Sequence, residues 1–247
     1  MIHKKAAIGF DRAGDQYERG RPEYPQDAVN FLISKAGISS ASTVVDLGAG
    51  TGKFTKLLLP IKANLIAVEP VEGMRKTFST LLPNVKILAG TAEAIPLEKQ
   101  SVDAVLVAQA FHWFNGPDAL KEIHRVLKPN GKIGLIWNAR DESIDWVKRL
   151  TEIIDPHEGG APRYKTMNWK MVFDNTDLFS PLELSHFSYV QYGTVETVVD
   201  RIGSISFISA LPEEERNHVL DQVRDLLKNQ TSMSLPYRTD VYWCQKL

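Results

Sequence analysis

Residues Val44-Val45-Asp46-Leu47-Gly48-Ala49-Gly50-Thr51-Gly52-Lys53-Phe54-Thr55 constrain the fold more than any other stretch. An apolar run ends in an acid, a glycine-dense turn follows, and Phe54, Leu57 and Leu58 begin a helical pattern. Strand, tight loop and helix in that order make the first unit of a parallel α/β sheet, with a ligand expected at the strand's carboxyl end. The glycines permit positive φ in the turn and remove the Cβ atoms that would hold a ligand away from the backbone. The loop amides and the helix N-terminus then face whatever binds there.

Spacing separates the two cofactor classes that use such a loop. A dinucleotide fingerprint needs G-x-G-x-x-G, and counting from Gly48 the third glycine position is Lys53. The chain reads G-x-G-x-G instead, with Asp46 two residues ahead of the first glycine. Glu69 ends the next apolar run, Leu65 to Val68, and lies 23 residues after Asp46. An ionised carboxylate there suits a vicinal ribose diol, because it accepts from both hydroxyls.

Asp46-Leu47-Gly48-Ala49-Gly50-Thr51-Gly52, Val68-Glu69-Pro70 and Gly90-Thr91-Ala92-Glu93-Ala94-Ile95-Pro96-Leu97 resemble three successive motifs of the class I S-adenosylmethionine-dependent methyltransferases. Within that class they are most similar to the small-molecule subgroup that includes trans-aconitate methyltransferases. The resemblance implies a doubly wound, mostly parallel seven-stranded Rossmann-like sheet with a helical cap, and methyl transfer from S-adenosyl-L-methionine to a small-molecule acceptor, a carboxylate or other oxygen. It also implies roles for particular residues. Asp46 would orient the loop near the amino-acid end of the cofactor. Gly48, Gly50 and Gly52 would give backbone access, and Glu69 would take the ribose hydroxyls. Ala92 would meet the adenine through its amide, with the Thr91 hydroxyl standing where many relatives carry an aspartate. Gln109 would touch the methionine part, and Tyr17 and Arg21 would belong to a segment, residues 1–25, that closes over the cofactor. A surface arm pinned by its aromatics is the other reading of that segment.

Ala108-Gln109-Ala110-Phe111-His112-Trp113-Phe114 follows strand four, where the resembling family holds methyl group and acceptor. His112 and Trp113 are the catalytic candidates, and His112, Trp113, Phe114, Asn138 and Arg140 the substrate-binding ones. His112 is open to three roles: base, hydrogen-bond donor, or cationic partner of an acid. It could equally cap the next helix, with Trp113 and Phe114 as core. Displacement at a sulfonium methyl has a neutral leaving group and relies chiefly on positioning. A base is needed only if the acceptor must lose a proton. No metal is expected, since the six histidines show no ligand spacing.

The chain has 247 residues, 43% of them apolar, which fits one methyltransferase domain with an insertion rather than two domains. A net charge of −1 argues against a dominant phosphate-binding surface. The position after strand four also lacks the N-P-P-Y-like run that holds a flipped base, so a small molecule rather than nucleic acid is the expected partner. Cys244 is the only cysteine, which fits a reducing compartment. Ala6-Ala7-Ile8 is too short for a signal-peptide core and no run reaches membrane-spanning length. A cytoplasmic protein without a membrane partner is expected.

Periodicity predicts a helix from Pro25 to Gly37, strands at 43–47, 64–68, 85–89, 102–108 and 132–137, and helices at 52–59, 73–82 and 118–127 between them. Beyond Asn138 the alternation stops. Residues 140–180 read as a cap insertion over the strand ends, helical at the start and looped in the middle. A strand at 182–192, a helix at 194–202 that continues the cap, a helix after Leu211-Pro212 and a final strand at 239–244, antiparallel in the resembling family, complete the chain. The rival readings are a nicotinamide-dependent oxidoreductase, which Lys53 disfavours, a non-catalytic cofactor-binding subunit, and a methyltransferase acting on protein.

Overall fold

The computed structural model of the chain describes residues 20–247. The first elements are α1 (Gln26–Ala36), β1 (Thr43–Leu47), α2 (Lys53–Leu58), β2 (Asn64–Val68), α3 (Glu72–Leu81) and β3 (Lys86–Leu88). β4 (Val102–Ala108), α4 (Gly116–Val126) and β5 (Leu127–Arg140) follow. The second half holds α5 (Asp145–Ile154), α6 (Met171–Asp174), β6 (Glu183–Gly193), α7 (Val195–Gly203), α8 (Ser206–Ser209), α9 (Glu213–Leu227) and β7 (Met233–Gln245).

The strands form a seven-stranded sheet in the order β3-β2-β1-β4-β5-β7-β6. β1 pairs in parallel with both β2 and β4, and β7 runs antiparallel to both β5 and β6. This is the expected doubly wound, mostly parallel sheet. Strand order reverses between β1 and β4, so the loops leaving those two strands open a crevice at the sheet's carboxyl edge. Alternate side chains fill two layers. Val45, Leu47, Val105, Val107, Leu135 and Trp137 face one core with α4. Val44, Ala104, Leu106 and Ile136 face the other, with Leu32 of α1 and Phe54 and Leu58 of α2. Asp46 shares its face with Val44, which aims it beneath the loop at α2.

Several bounds differ from expectation for physical reasons. α2 stops at Leu58, and Pro60 sits in a 3-10 turn, Leu59–Ile61. β5 includes the predicted break. Val102 pairs with Leu127 but Ala104 with Lys132, so Lys128 to Gly131 bulge out, with Asn130 at φ 64°. β7 is about twice the expected length, because β6 pairs along it from Met233 to Trp243, even opposite Pro236. The mixed pattern of Met233 to Arg238 hides this in sequence.

The segment expected to form the cap is divided by packing. Leu150 and Ile154 of α5 join Val198 and Ile202 of α7, Ile208 of α8, and Val219, Val223 and Leu227 of α9 in one helical cluster. Trp169, Phe173 and Phe179 pack instead into the sheet core, beside Trp137 and Tyr242. The helical layer is thus built from α5 and residues 195–227 rather than from residues 140–180 alone. Among the described residues no helix is long and apolar enough to cross a membrane.

Candidate active site

A cleft runs from the loop after β1, past the ends of β2 and β4, to the end of β5 and the inner side of α7 and α8. Gly48, Gly50, Glu69, Thr91 and Ala92 line one end, and Arg140, Arg163 and Arg201 the other, with Gln109, His112, Trp113 and Phe114 between them. The structure therefore brings together most of the residues that the sequence singles out. Tyr17 lies outside the described residues. Arg21 lines the cleft and donates from Nη2 to the Ser204 carbonyl at 3.0 Å.

At the glycine end, the loop is held by Glu69. One carboxylate oxygen accepts the Gly50 N–H and the other the Val71 N–H, each at 2.9 Å. Burial pushes the Glu69 carboxyl above its ordinary value, against these two amides and the nearby Arg75 guanidinium. Each oxygen keeps acceptor capacity for a ligand hydroxyl. Glu69→Gln removes the charge and forces an NH2 group against one of the two amides, so S-adenosylmethionine affinity should fall by about 1–3 kcal/mol in calorimetric titration.

Asp46 lies under the loop, 2% exposed, and is not on the cleft wall. Its Oδ2 accepts the Thr55 hydroxyl, while Oδ1 is buried with no hydrogen-bond partner among the described residues. Burial pushes its pKa up to about 7; Thr55 opposes the shift and Glu69 adds to it.

Gly48, Gly50 and Gly52 all adopt left-handed φ, but they do different things. Gly48 and Gly50 line the cleft. Gly52 does not, and the expected ligand access through it is corrected: a Cβ there would stand 2.6 Å from Leu82 and 2.8 Å from Phe78. Its bare Cα lets the first turn of α2 pack on the end of α3. Gly52→Ala should cost about 2–3 kcal/mol in urea unfolding, from overpacking and a left-handed side chain together.

Beyond β4, Gln109 has φ 58°, a left-handed conformation that is uncommon without glycine. Its N–H donates to the Ile136 carbonyl at 2.9 Å and its side-chain amide to the Asn138 carbonyl at 3.4 Å, fixing it across the cleft. Next comes a 3-10 turn, Phe111–Trp113. Phe111 is buried against Phe114 and Phe173, with ring centroids 5.4 and 5.0 Å away, and this anchor turns His112 and Trp113 towards the cleft. His112 does not cap α4; Asn115 occupies that position.

Trp137 Nε1 donates to His112 Nδ1 at 3.4 Å. Burial, then the Arg163 and Arg21 charges, push the imidazole down to about 3. His112 is neutral at ordinary pH with Nδ1 already accepting, so its proton sits on Nε2. Of the three roles open to it in sequence, this geometry suits the hydrogen-bond donor.

Asn138 and Arg140 both line the cleft. The Asn138 side chain is committed elsewhere, donating to the Glu23 carbonyl at 2.8 Å and accepting from Thr239 Oγ1 at 2.6 Å. It ties the chain before α1 to the sheet. Arg140 has the opposite character. Its Nε is buried without a hydrogen-bond partner among the described residues, and so are Nε and Nη1 of Arg201, which is 7% exposed. Burial and the neighbouring Arg201 charge hold the Arg140 guanidinium down at about 10. Arg163 adds to that field. It pairs with Glu158 at 2.8 Å, and its guanidinium lies 5.0 Å from the Phe207 ring centroid.

Arg163 and Arg201 are not among the residues that the sequence singles out. A signal existed for Arg201: a cation amid the apolar positions Val198, Val199 and Ile202 of an amphipathic helix. Arg163 sits in an irregular loop and carries no such mark.

Residues 45–135 match a family described as a methyltransferase domain. A methyltransferase-like protein of Schizosaccharomyces pombe is 38% identical over 237 residues, covering 93% of this chain and 92% of its own. An uncharacterised methyltransferase of Mycobacterium tuberculosis is 39% identical over 242 residues, covering 94% of this chain and 93% of its own. Among solved structures, the YcgJ protein of Bacillus subtilis superposes with a TM-score of 0.60 at 20% identity, over 90% of this chain and 99% of that one, a likeness of fold. With the G-x-G-x-G loop, the acid after β2 and the β3-β2-β1-β4-β5-β7-β6 sheet, these relatives settle the family: the chain belongs to the class I S-adenosylmethionine-dependent methyltransferases.

Proposed function

We propose that this methyltransferase transfers the methyl group to an oxygen of a small carboxylic acid, in the manner of the trans-aconitate subgroup that its motifs resemble. The observation that carries the reading is the pair Arg140, half-buried, and Arg201, buried: both line the cleft, and Nε of each and Nη1 of Arg201 have no hydrogen-bond partner among the described residues. Leaving such N–H groups unsatisfied is costly, Glu142 offsets the Arg140 charge only in part, and an acceptor carboxylate supplies both charge and hydrogen bonds, bidentately where the fork allows.

The Asp46 and Glu69 side fits the cofactor. Glu69 offers acceptor capacity for the ribose hydroxyls, Asp46 supports the loop from beneath, and Gly48 and Gly50 line the cleft without side chains that would hold a ligand off. Ala92 and Thr91 form the wall assigned to adenine, and Gln109 reaches across towards the methionine part. When bound, S-adenosylmethionine supplies an electrophilic methyl group on a sulfonium. Arg21 serves the cofactor's carboxylate, while Arg140 and Arg201, reinforced by Arg163, hold the acceptor. Neutral His112 orients the acceptor by donating from Nε2, and Trp113 and Phe114 border the same space. A carboxylate acceptor is already anionic, so no group has to take its proton. Holding its oxygen about 3 Å from the methyl carbon supplies several kcal/mol by positioning alone.

The cleft is continuous from Gly50 to Arg201 and is not filled by Trp113, which speaks against a non-catalytic subunit. Residues 162–165 and 205–207 line it above the strand ends, which favours a small acceptor over a protein or nucleic-acid one. A cytoplasmic enzyme working without a membrane fits the same reading. The test is calorimetric titration with S-adenosylmethionine, S-adenosylhomocysteine and NAD, followed by a screen of mono-, di- and tricarboxylic acids for S-adenosylhomocysteine release. Binding of the two adenosyl ligands and acid-dependent turnover are expected. Turnover on amines or thiols but on no acid would overturn the acceptor.

A further inference from the structure

We propose that Asp240, whose side chain lies outside the cleft, is a positioning residue for the acceptor site and acts through Tyr164. This inference rests on the carboxylate reading above. Asp240 is fully buried on β7 and collects four donors. Arg238 donates from Nε at 2.8 Å and from Nη2 at 2.9 Å, and His186 Nδ1 lies 2.6 Å away. The fourth is the Tyr164 hydroxyl, which donates to Oδ2 in a short hydrogen bond. Since that proton is committed to Asp240, the Tyr242 hydroxyl, 2.9 Å from the Tyr164 oxygen, must donate to it. The Tyr164 phenol is accordingly raised far above its ordinary value, by burial first and then by Asp240, and remains a donor.

Tyr164 lines the cleft, and so do its neighbours Arg163 and Lys165. Its ring stacks on Trp137 at 4.9 Å between centroids, and Trp137 is the residue that donates to His112. The segment that carries Arg163 has no strand pairing and only a single 3-10 turn, Tyr164–Thr166, to shape it. Its position over the cleft depends on side-chain anchors, and one of them joins the half-buried Tyr164 hydroxyl to the fully buried Asp240 carboxylate. Releasing it loosens the loop beside Arg163, leaving that residue held through Glu158 and Phe207, and its charge reaches both His112 and Arg140. The acceptor end of the cleft loses its geometry while the cofactor end, held by Glu69 and Asp46, does not.

The experiment uses the full chain with Tyr164→Phe, Asp240→Asn and the double variant. Tyr164→Phe keeps the stacked ring and leaves Asp240 its other partners. It should raise the KM for the acid by about tenfold or more, with the S-adenosylmethionine dissociation constant within about threefold of the parent. Asp240→Asn should do the same, and in the Tyr164→Phe background it should add nothing further to KM. Amide hydrogen exchange of residues 162–166 should be faster in Tyr164→Phe than in the parent protein, a readout that needs no acceptor. An unchanged KM in Tyr164→Phe, or single effects that multiply in the double variant, would overturn the assignment. If no acid is turned over by the parent protein, the carboxylate reading fails by itself, and exchange rates at 162–166 still decide whether the latch exists. Should Asp240→Asn fail to fold, the KM and exchange rates of Tyr164→Phe are sufficient to decide.

Discussion

Asp46→Asn should stabilise the ligand-free protein above neutral pH while weakening its hold on S-adenosylmethionine. The Asp46 carboxyl is raised to about 7 by burial, with one oxygen bonded to Thr55 and the other alone. A raised folded-state pKa means that the folded chain binds a proton that the unfolded chain has released. The favourable contribution is complete below the ordinary carboxylate pKa of about 4 and is lost as pH rises through about 7. Three units correspond to roughly 4 kcal/mol of disadvantage once the group is forced to ionise. Asparagine keeps the shape and an acceptor for Thr55 and never carries the charge. Urea unfolding of the two proteins should give curves that nearly coincide at about pH 4 and separate progressively up to about pH 8, with the variant more stable by about 2–4 kcal/mol. A difference independent of pH would mean that Asp46 is not held in this state. Weaker cofactor binding is expected through the loop: Asp46 supports it from beneath, and an asparagine there replaces one carboxylate acceptor by an NH2 group.

The parts of this structure that are legible in sequence are local ones. β1, β2 and β4 are buried on both faces over most of their length, so each reads as a nearly continuous apolar run, and the loop after β1 announces itself through glycines and an acid. Asp46, Glu69, Gln109, His112 and Arg140 lie at or just past the ends of strands, and in a parallel sheet all those ends meet along one edge. Knowing the strands was enough to gather these residues. Arg163, Tyr164 and Arg201 come from segments whose place is set by packing between elements distant in sequence, and no period reveals which stripe meets which. Trp169 and Phe173 show the difficulty, since their size marks them as core without saying that they serve the sheet rather than the helical layer. Gly52 shows a second limit. Spacing identifies a glycine that matters, but only the position of Phe78 and Leu82 shows that a helix, not a ligand, requires it.

Arg140→Met is the variant in which stability and function should separate most widely. The guanidinium is buried beside Arg201 and within reach of Arg163, and its pKa, held down to about 10, records the repulsion. At neutral pH it is charged in the folded and the unfolded chain alike, so the folded state bears that cost throughout the physiological range. Methionine fills similar volume without charge or unpaired N–H groups, and should stabilise the ligand-free protein by about 1–3 kcal/mol. Lost charged hydrogen bonds to an acceptor carboxylate should meanwhile raise its KM by about 10- to 100-fold. The cofactor dissociation constant distinguishes the two carboxylates that this cleft has to handle. If Arg140 serves the acceptor, S-adenosylmethionine affinity stays within about threefold of the parent; if it falls by the larger factor, Arg140 belongs to the cofactor and the acceptor's anchor reduces to Arg163 and Arg201. Gain of stability with loss of substrate is the signature of a site whose charges are set in place before the ligand arrives. Asp46, beneath the loop at the cofactor end, and Arg140, on the cleft wall at the other, are ionised groups of opposite sign that the ligand-free fold holds at a cost.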